Sequence, residues 1–73
     1  MTALTHLIMR DLAKNGTATS LAIAERIAKE FPQWSPTWIA NNVQKRLYGQ
    51  VKKGRVSRQL GKDGSPTIFE LSL

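Results

Sequence analysis

Residues 36–71 read PTWIANNVQKRLYGQVKKGRVSRQLGKDGSPTIFEL, a helical pattern that gives way to a strand pattern. Serine at position 35 before Pro36 is a helix start, because a Ser hydroxyl accepts from a first-turn N–H and proline suits the first helical position. Ile39, Val43 and Leu47 then recur at helical spacing with Ala40 beside them, which predicts a helix over about 36–50, loosened at Gly49. Gly54 terminates the basic Lys52-Lys53 stretch that follows. Past it the period changes from helical to two. Val56, Arg58 and Leu60 alternate, Gly61-Lys62-Asp63-Gly64-Ser65-Pro66 is a turn cluster, and Thr67-Ile68-Phe69-Glu70-Leu71 is rich in β-formers. Strands over about 55–60 and 67–71, joined as a hairpin, are expected.

The N-terminal half reads as two further helices. Leu4, Leu7, Ile8 and Leu12 form an apolar stripe with His6, Arg10 and Lys14 mostly off it, which predicts an amphipathic helix over about 2–15. Asn15-Gly16 ends it, because glycine accepts the left-handed conformation common after a helix C-terminus. Thr17-Ala18 is compatible with a short extended piece. Thr19 or Ser20 offers a capping hydroxyl to a helix over about 20–31, with Ile23, Ile27 and Phe31 inward and Ala24 and Ala28 allowing close approach. Pro32 stops that helix, since the residue before a proline disfavours helical geometry. Phe31 with Trp34 is read as the apolar plug of the turn between the second and third helices.

The chain of 73 residues is read as a single domain over 1–73, with 41% apolar residues, enough for a small core. It has no cysteine, so disulfides, zinc–thiolate sites and thiol catalysis are excluded. Its formal charge of +6 is unevenly distributed. Residues 1–40 hold four bases and three acids, a net of +1, whereas residues 41–73 hold seven bases and two acids, a net of +5. A local positive field of this kind steers polyanions. No basic segment precedes the apolar residues of the N-terminus, and no apolar run is long enough for a bilayer, so neither a signal peptide nor a membrane partner is expected. The expected location is the cytoplasm, with the nucleoid as its site of action.

The third predicted helix has an unusual outer face. With Ile39, Val43 and Leu47 inward, the opposite stripe holds Trp38, Asn41, Lys45, Tyr48 and Lys52, flanked by Thr37 and Gln44. Solvated helix faces favour Glu, Lys and Ala, but this one carries amides, bases and aromatics, with no acid between Pro36 and Lys53. Asn and Gln pair bidentately with adenine edges, and Lys reaches guanine acceptors or phosphate. Lys45, Lys52 and Lys53 are expected mainly as phosphate anchors, since most contacts of this kind go to the backbone. Arg55, Arg58 and Lys62 fall on or near the hairpin. Arg46 lies nearer the inward stripe and is expected to lay its stem over the core edge. Trp38 has two readings, stacking on a sugar or covering an apolar seam beside the second helix. Tyr48 also has two, donating to a phosphate or resting against the hairpin.

The ordered set Gly16-Thr17-Ala18-Thr19, Ile23-Ala24-Glu25-Arg26-Ile27, Ser35-Pro36-Thr37, Val43, Leu47, Lys52-Lys53-Gly54-Arg55-Val56 and Ser65-Pro66-Thr67-Ile68-Phe69-Glu70-Leu71 resembles the winged helix-turn-helix family over nearly the whole chain. The resemblance implies an α+β fold: a three-helix core with a C-terminal β-hairpin wing, its third helix entering the DNA major groove and its wing on the backbone or minor groove. It also implies that the start of the second helix approaches the backbone through Thr17, Thr19 or Ser20, with Ser35 and Thr37 at the start of the third. The chain departs from the pattern in carrying Pro32 and Trp34 in the inter-helix link and in a third helix about a turn longer than many relatives have. The segment 43–54 also looks somewhat like the Z-alpha branch, which binds left-handed nucleic acid. There the helix carries Asn-Arg and then Tyr, and the wing two prolines and Trp. Here those places hold Gln44, Lys45, Tyr48, Pro66, Thr67 and Phe69.

Catalysis is not expected. His6 is the lone histidine, and Asp11, Glu25, Glu30, Asp63 and Glu70 are too scattered for a metal. Gly61 and Gly64 lack phosphate-loop spacing, so no cofactor, metal or nucleotide site is expected. The function expected is sequence-specific binding of double-stranded DNA in transcriptional regulation, of the kind found in prophages, plasmids or compact bacterial operons. Neutralising about four to six phosphates would give a log–log salt slope near −4 to −5. The alternatives left open are a protein-interaction module, such as a phage-encoded inhibitor of a host nucleic-acid machine, and RNA binding through the wing. A homodimer is also open.

Overall fold

The computed structural model describes residues 3–72. Its elements are helix α1 (Ala3–Asn15), strand β1 (Thr17–Thr19), helix α2 (Ser20–Glu30), helix α3 (Pro36–Lys52), strand β2 (Val56–Gln59) and strand β3 (Ile68–Leu71). The arrangement is α+β, with three helices packed together and a small C-terminal β-hairpin. Thr2, the expected first residue of the first helix, lies outside the described residues.

Local chemistry explains most of the boundaries. Thr19 caps α2, its Oγ1 accepting from the Ala22 N–H at 3.1 Å, and Ser35 caps α3, its Oγ accepting from the Trp38 N–H at 3.3 Å. Helix α2 ends one residue sooner than expected, at Glu30. Phe31, ahead of Pro32, has left helical geometry at φ −127° although its N–H still reaches the Ile27 carbonyl. Helix α3, expected to end at position 50, runs two residues further, straight through Gly49. Its true stop is Gly54, at φ +79°. There the Gly54 N–H donates to the Val51 carbonyl and the Arg55 N–H to the Gln50 carbonyl, both at 3.0 Å. This doubled bond pattern closes a helix over a left-handed residue, and Gly49 offers no such turn.

The short extended piece at Thr17-Ala18 is a third strand of the sheet, β1. The sheet order is β1-β3-β2, with β3 antiparallel to both neighbours. Ala18 of β1 stands opposite Phe69 of β3, and Phe69 opposite Arg58 of β2, so the link between α1 and α2 is stitched to the hairpin. Phe69 also anchors the core, where it joins Leu4, Ile8 and Leu12 of α1, Ile23 and Ile27 of α2, Ile39, Val43 and Leu47 of α3, and Val56 of β2, all buried. Burying such side chains contributes about 1.5–3 kcal/mol each.

Two ion pairs lock α1 to α2. Arg26 grips Asp11 with two parallel hydrogen bonds of 2.7 Å, and Arg10 meets Glu30 at 2.7 Å. The hydrogen bond to Asp11 raises the Arg26 pKa and the carboxylate's charge adds to it, outweighing the effect of partial burial. At the hairpin tip, Asp63 and Gly64 both take positive φ and the Ser65 N–H donates to the Lys62 carbonyl, the primed turn that Asp-Gly favours. Gly61 sits where a Cβ would run into the Ser65 carbonyl, so only glycine fits that crossing of the loop. Leu60, expected as the last apolar position of its strand, instead lies beyond β2 and is 70% exposed.

Candidate nucleic-acid interface

Helix α3 sorts its residues by angle. At about 100° per residue, Ile39, Val43, Leu47 and Gln50 share an arc of roughly 80°, and Asn41, Lys45, Tyr48 and Lys52 share the opposite arc of roughly 60°. The first set is buried and the second exposed. Thr37, Trp38 and Gln44 are exposed beside the outer set. Asn41, Gln44, Lys45 and Tyr48 line one open groove on that face. This groove brings together two amides, a base and a phenol, with no carboxylate among its walls.

The hairpin continues the same face. Arg58 points from β2 toward α3, its guanidinium carbon 5.3 Å from the centre of the Tyr48 ring. Tyr48 itself stands edge-on to Phe69 at 5.7 Å. Of its two readings, then, the ring rests against the hairpin. Lys62 is exposed at the hairpin tip. The stack Arg58–Tyr48–Phe69 thus joins the outer stripe of α3 to the core through one aromatic ring, which fixes the spacing between helix and hairpin.

The free charge is concentrated in the C-terminal half. Both ion pairs belong to α1 and α2, and among the described residues none of Lys45, Arg46, Lys52, Lys53, Arg55, Arg58 and Lys62 makes one. These seven do not share one surface. Lys45, Lys52 and Arg58 lie on the outer stripe or beside it. Arg46, Lys53 and Arg55 fall on the shoulder of α3 that faces α1, where Arg46 Nη1 lies 3.4 Å from Thr5 Oγ1. Arg55, expected at the start of the first hairpin strand, precedes β2. Its N–H and carbonyl are tied to Gln50 and Ser72, and it borders the α1 side instead.

The capping residues keep one function free. Thr19 and Ser35 accept a backbone N–H through an oxygen lone pair, which leaves each O–H available as a donor to an outside group. Trp38 is 46% exposed and stands edge-on to Trp34, which stacks on Phe31 at 4.7 Å. The aromatic plug of the inter-helix turn therefore extends to the surface. Gln50 was missed by the apolar pattern, yet it follows Leu47 by three and Val43 by seven, a spacing that marks the inward face whatever the residue type. In comparisons with known proteins, the chain matches no family model, no curated protein and no solved structure.

Proposed function

We propose that the chain is a winged helix-turn-helix protein that binds double-stranded DNA, with α3 in the major groove and the β2–β3 hairpin as the wing. Its role is transcriptional regulation. The observation that carries this reading is the exposed, acid-free stripe Asn41–Gln44–Lys45–Tyr48–Lys52, set opposite the core and continued onto the hairpin by Arg58. Asn41 and Gln44 are the base readers, since an amide presents a donor and an acceptor side by side as an adenine edge requires. Lys45, Lys52 and Arg58 hold phosphates on either side of the groove. Lys62 reaches a flanking phosphate from the wing tip, and the hydroxyls of Thr19, Ser35 and Thr37 donate to backbone oxygens near the helix starts.

The testing experiment is selection from random duplex DNA followed by sequencing and a direct titration. A recovered consensus, bound in the nanomolar to sub-micromolar range and losing affinity steeply with salt, supports the proposal. Recovery of no consensus, with weak binding at low salt, rejects it. A second reading rests on Trp38, whose exposed ring on a rigid aromatic support suits an anchor for a protein partner. Capture of a partner that survives nuclease and high salt, and that is lost in Trp38→Ala, would favour this second reading.

A further inference from the structure

The cations that fall outside the outer stripe border a second feature. Between the shoulder of α3 and the first turns of α1 lies an open cleft of about 610 Å³, lined by Lys45, Arg46, Gly49, Gln50, Lys53 and Arg55 together with Thr5. Arg46, Lys53 and Arg55 are cations off the outer stripe, Lys45 borders both surfaces, and no acid lines the cleft. Gln50 is only 6% exposed, and its Oε1 has no hydrogen-bond partner. Arg46 Nε is likewise covered and unpartnered, although its Nη1 reaches Thr5. Folded chains rarely leave a buried donor and a buried acceptor unpaired at one place, and such a pair calls for a missing partner.

Gly49 is a further, independent pointer. Glycine in a helix interior is unfavourable, and here a Cβ would meet nothing within 4 Å, so packing inside the chain gives no reason for it. A bare backbone at position 49 widens the cleft between Lys45 and Lys53, one turn to either side of it.

We propose that this cleft is a phosphate-binding site, distinct from the outer stripe, with Lys53 and Arg55 at its rim, Arg46 and Gln50 at its floor and Gly49 providing the room. An oxyanion matches the set. Arg46, Lys53 and Arg55 neutralise its charge, the Arg46 Nε–H becomes a charge-assisted donor, and the Gln50 amide, whose Oε1 would repel an anion, makes a half-turn that brings its NH2 group to donate to a phosphate oxygen. The same chemistry serves a phosphate of a bound nucleic-acid strand and the phosphate of a small phosphorylated molecule.

The test is an NMR titration of the full chain with inorganic pyrophosphate at low salt, following the Gln50 side-chain NH2, the Arg46 Nε–H and the Gly49 amide. The proposal expects saturable shifts at all three. It further expects at least tenfold weaker binding in K53Q/R55Q, and less than twofold weakening in K14Q/K29Q, which removes the same charge elsewhere. Equal weakening in the two double variants, or silence at Gln50 and Arg46, overturns it. Repeating the titration on protein saturated with duplex DNA separates the sources. Persisting shifts identify a small phosphorylated ligand, and their loss, with the duplex itself moving Gln50, identifies a strand phosphate. If the chain binds no duplex at all, the proposed function fails while the pyrophosphate result stands on its own.

Discussion

Replacing Lys45, Lys52 and Arg58 together by glutamine removes the three cations on or beside the outer stripe without touching the core, since all three are exposed. If each neutralises one phosphate, the log–log salt slope becomes shallower by about 0.9 per contact, or about 2.7 in total. Taking those contacts to contribute nothing at 1 M salt, the triple variant binds about 3,000-fold more weakly than the parent at 50 mM, and about 80-fold more weakly at 200 mM. The gap itself is thus salt-dependent, a signature that general misfolding does not imitate. Arg58 also stacks on Tyr48, so its removal costs about 0.5–1 kcal/mol of stability, roughly 2–8 °C in Tm for a domain of this size. The assay is fluorescence anisotropy with the selected duplex across a salt series, alongside a thermal melt. As a charge control, Lys14→Gln with Lys29→Gln on α1 and α2 should leave the slope within about one of the parent's. Parallel salt lines for the parent and the triple variant would refute the assignment of these cations to phosphates.

Further outcomes follow from the packing. Phe69→Ala empties the centre of the core and removes the edge contact to Tyr48, at a cost of about 3–5 kcal/mol; in so small a domain, urea titration should find much of the chain unfolded at room temperature. Gly49→Ala adds a methyl to an open helical position and should raise stability by about 0.5–1 kcal/mol in the same titration. Asp11→Asn breaks the two-bond clasp with Arg26, where the Asp11 side chain is only 10% exposed; a loss of about 1 kcal/mol that shrinks with added salt is expected in thermal melts.

The features written locally in the chain were the legible ones. Ser35-Pro36 fixes the start of α3 because cap and proline act within one turn, and the shift of period after Gly54 marks the hairpin for the same reason. The end of α3 was misplaced because Gly49 and Gly54 are the same residue type and only the later one adopts the left-handed turn, which depends on bonds back to Gln50 and Val51. Strand β1 was compatible with Thr17-Ala18, but three residues have no period. Its pairing with β3 spans some fifty positions, and no local signal carries that. The outer stripe was legible because one helical period places Asn41, Lys45, Tyr48 and Lys52 together. The division of the cations between that stripe and the α1 cleft was not, because it depends on where α1 packs against Arg46 and on Arg55 turning back toward Gln50.

The most direct measurement is an NMR map of the free chain against the chain bound to its selected duplex, read at the side-chain amides of Asn41 and Gln44, the Tyr48 ring and the Arg58 Nε–H. The account predicts the largest changes at these groups, with Lys14 and Lys29 on the other helices unmoved. Unchanged Asn41 and Gln44 amides in a saturated complex, with the perturbations gathered on α1 and α2, would contradict it.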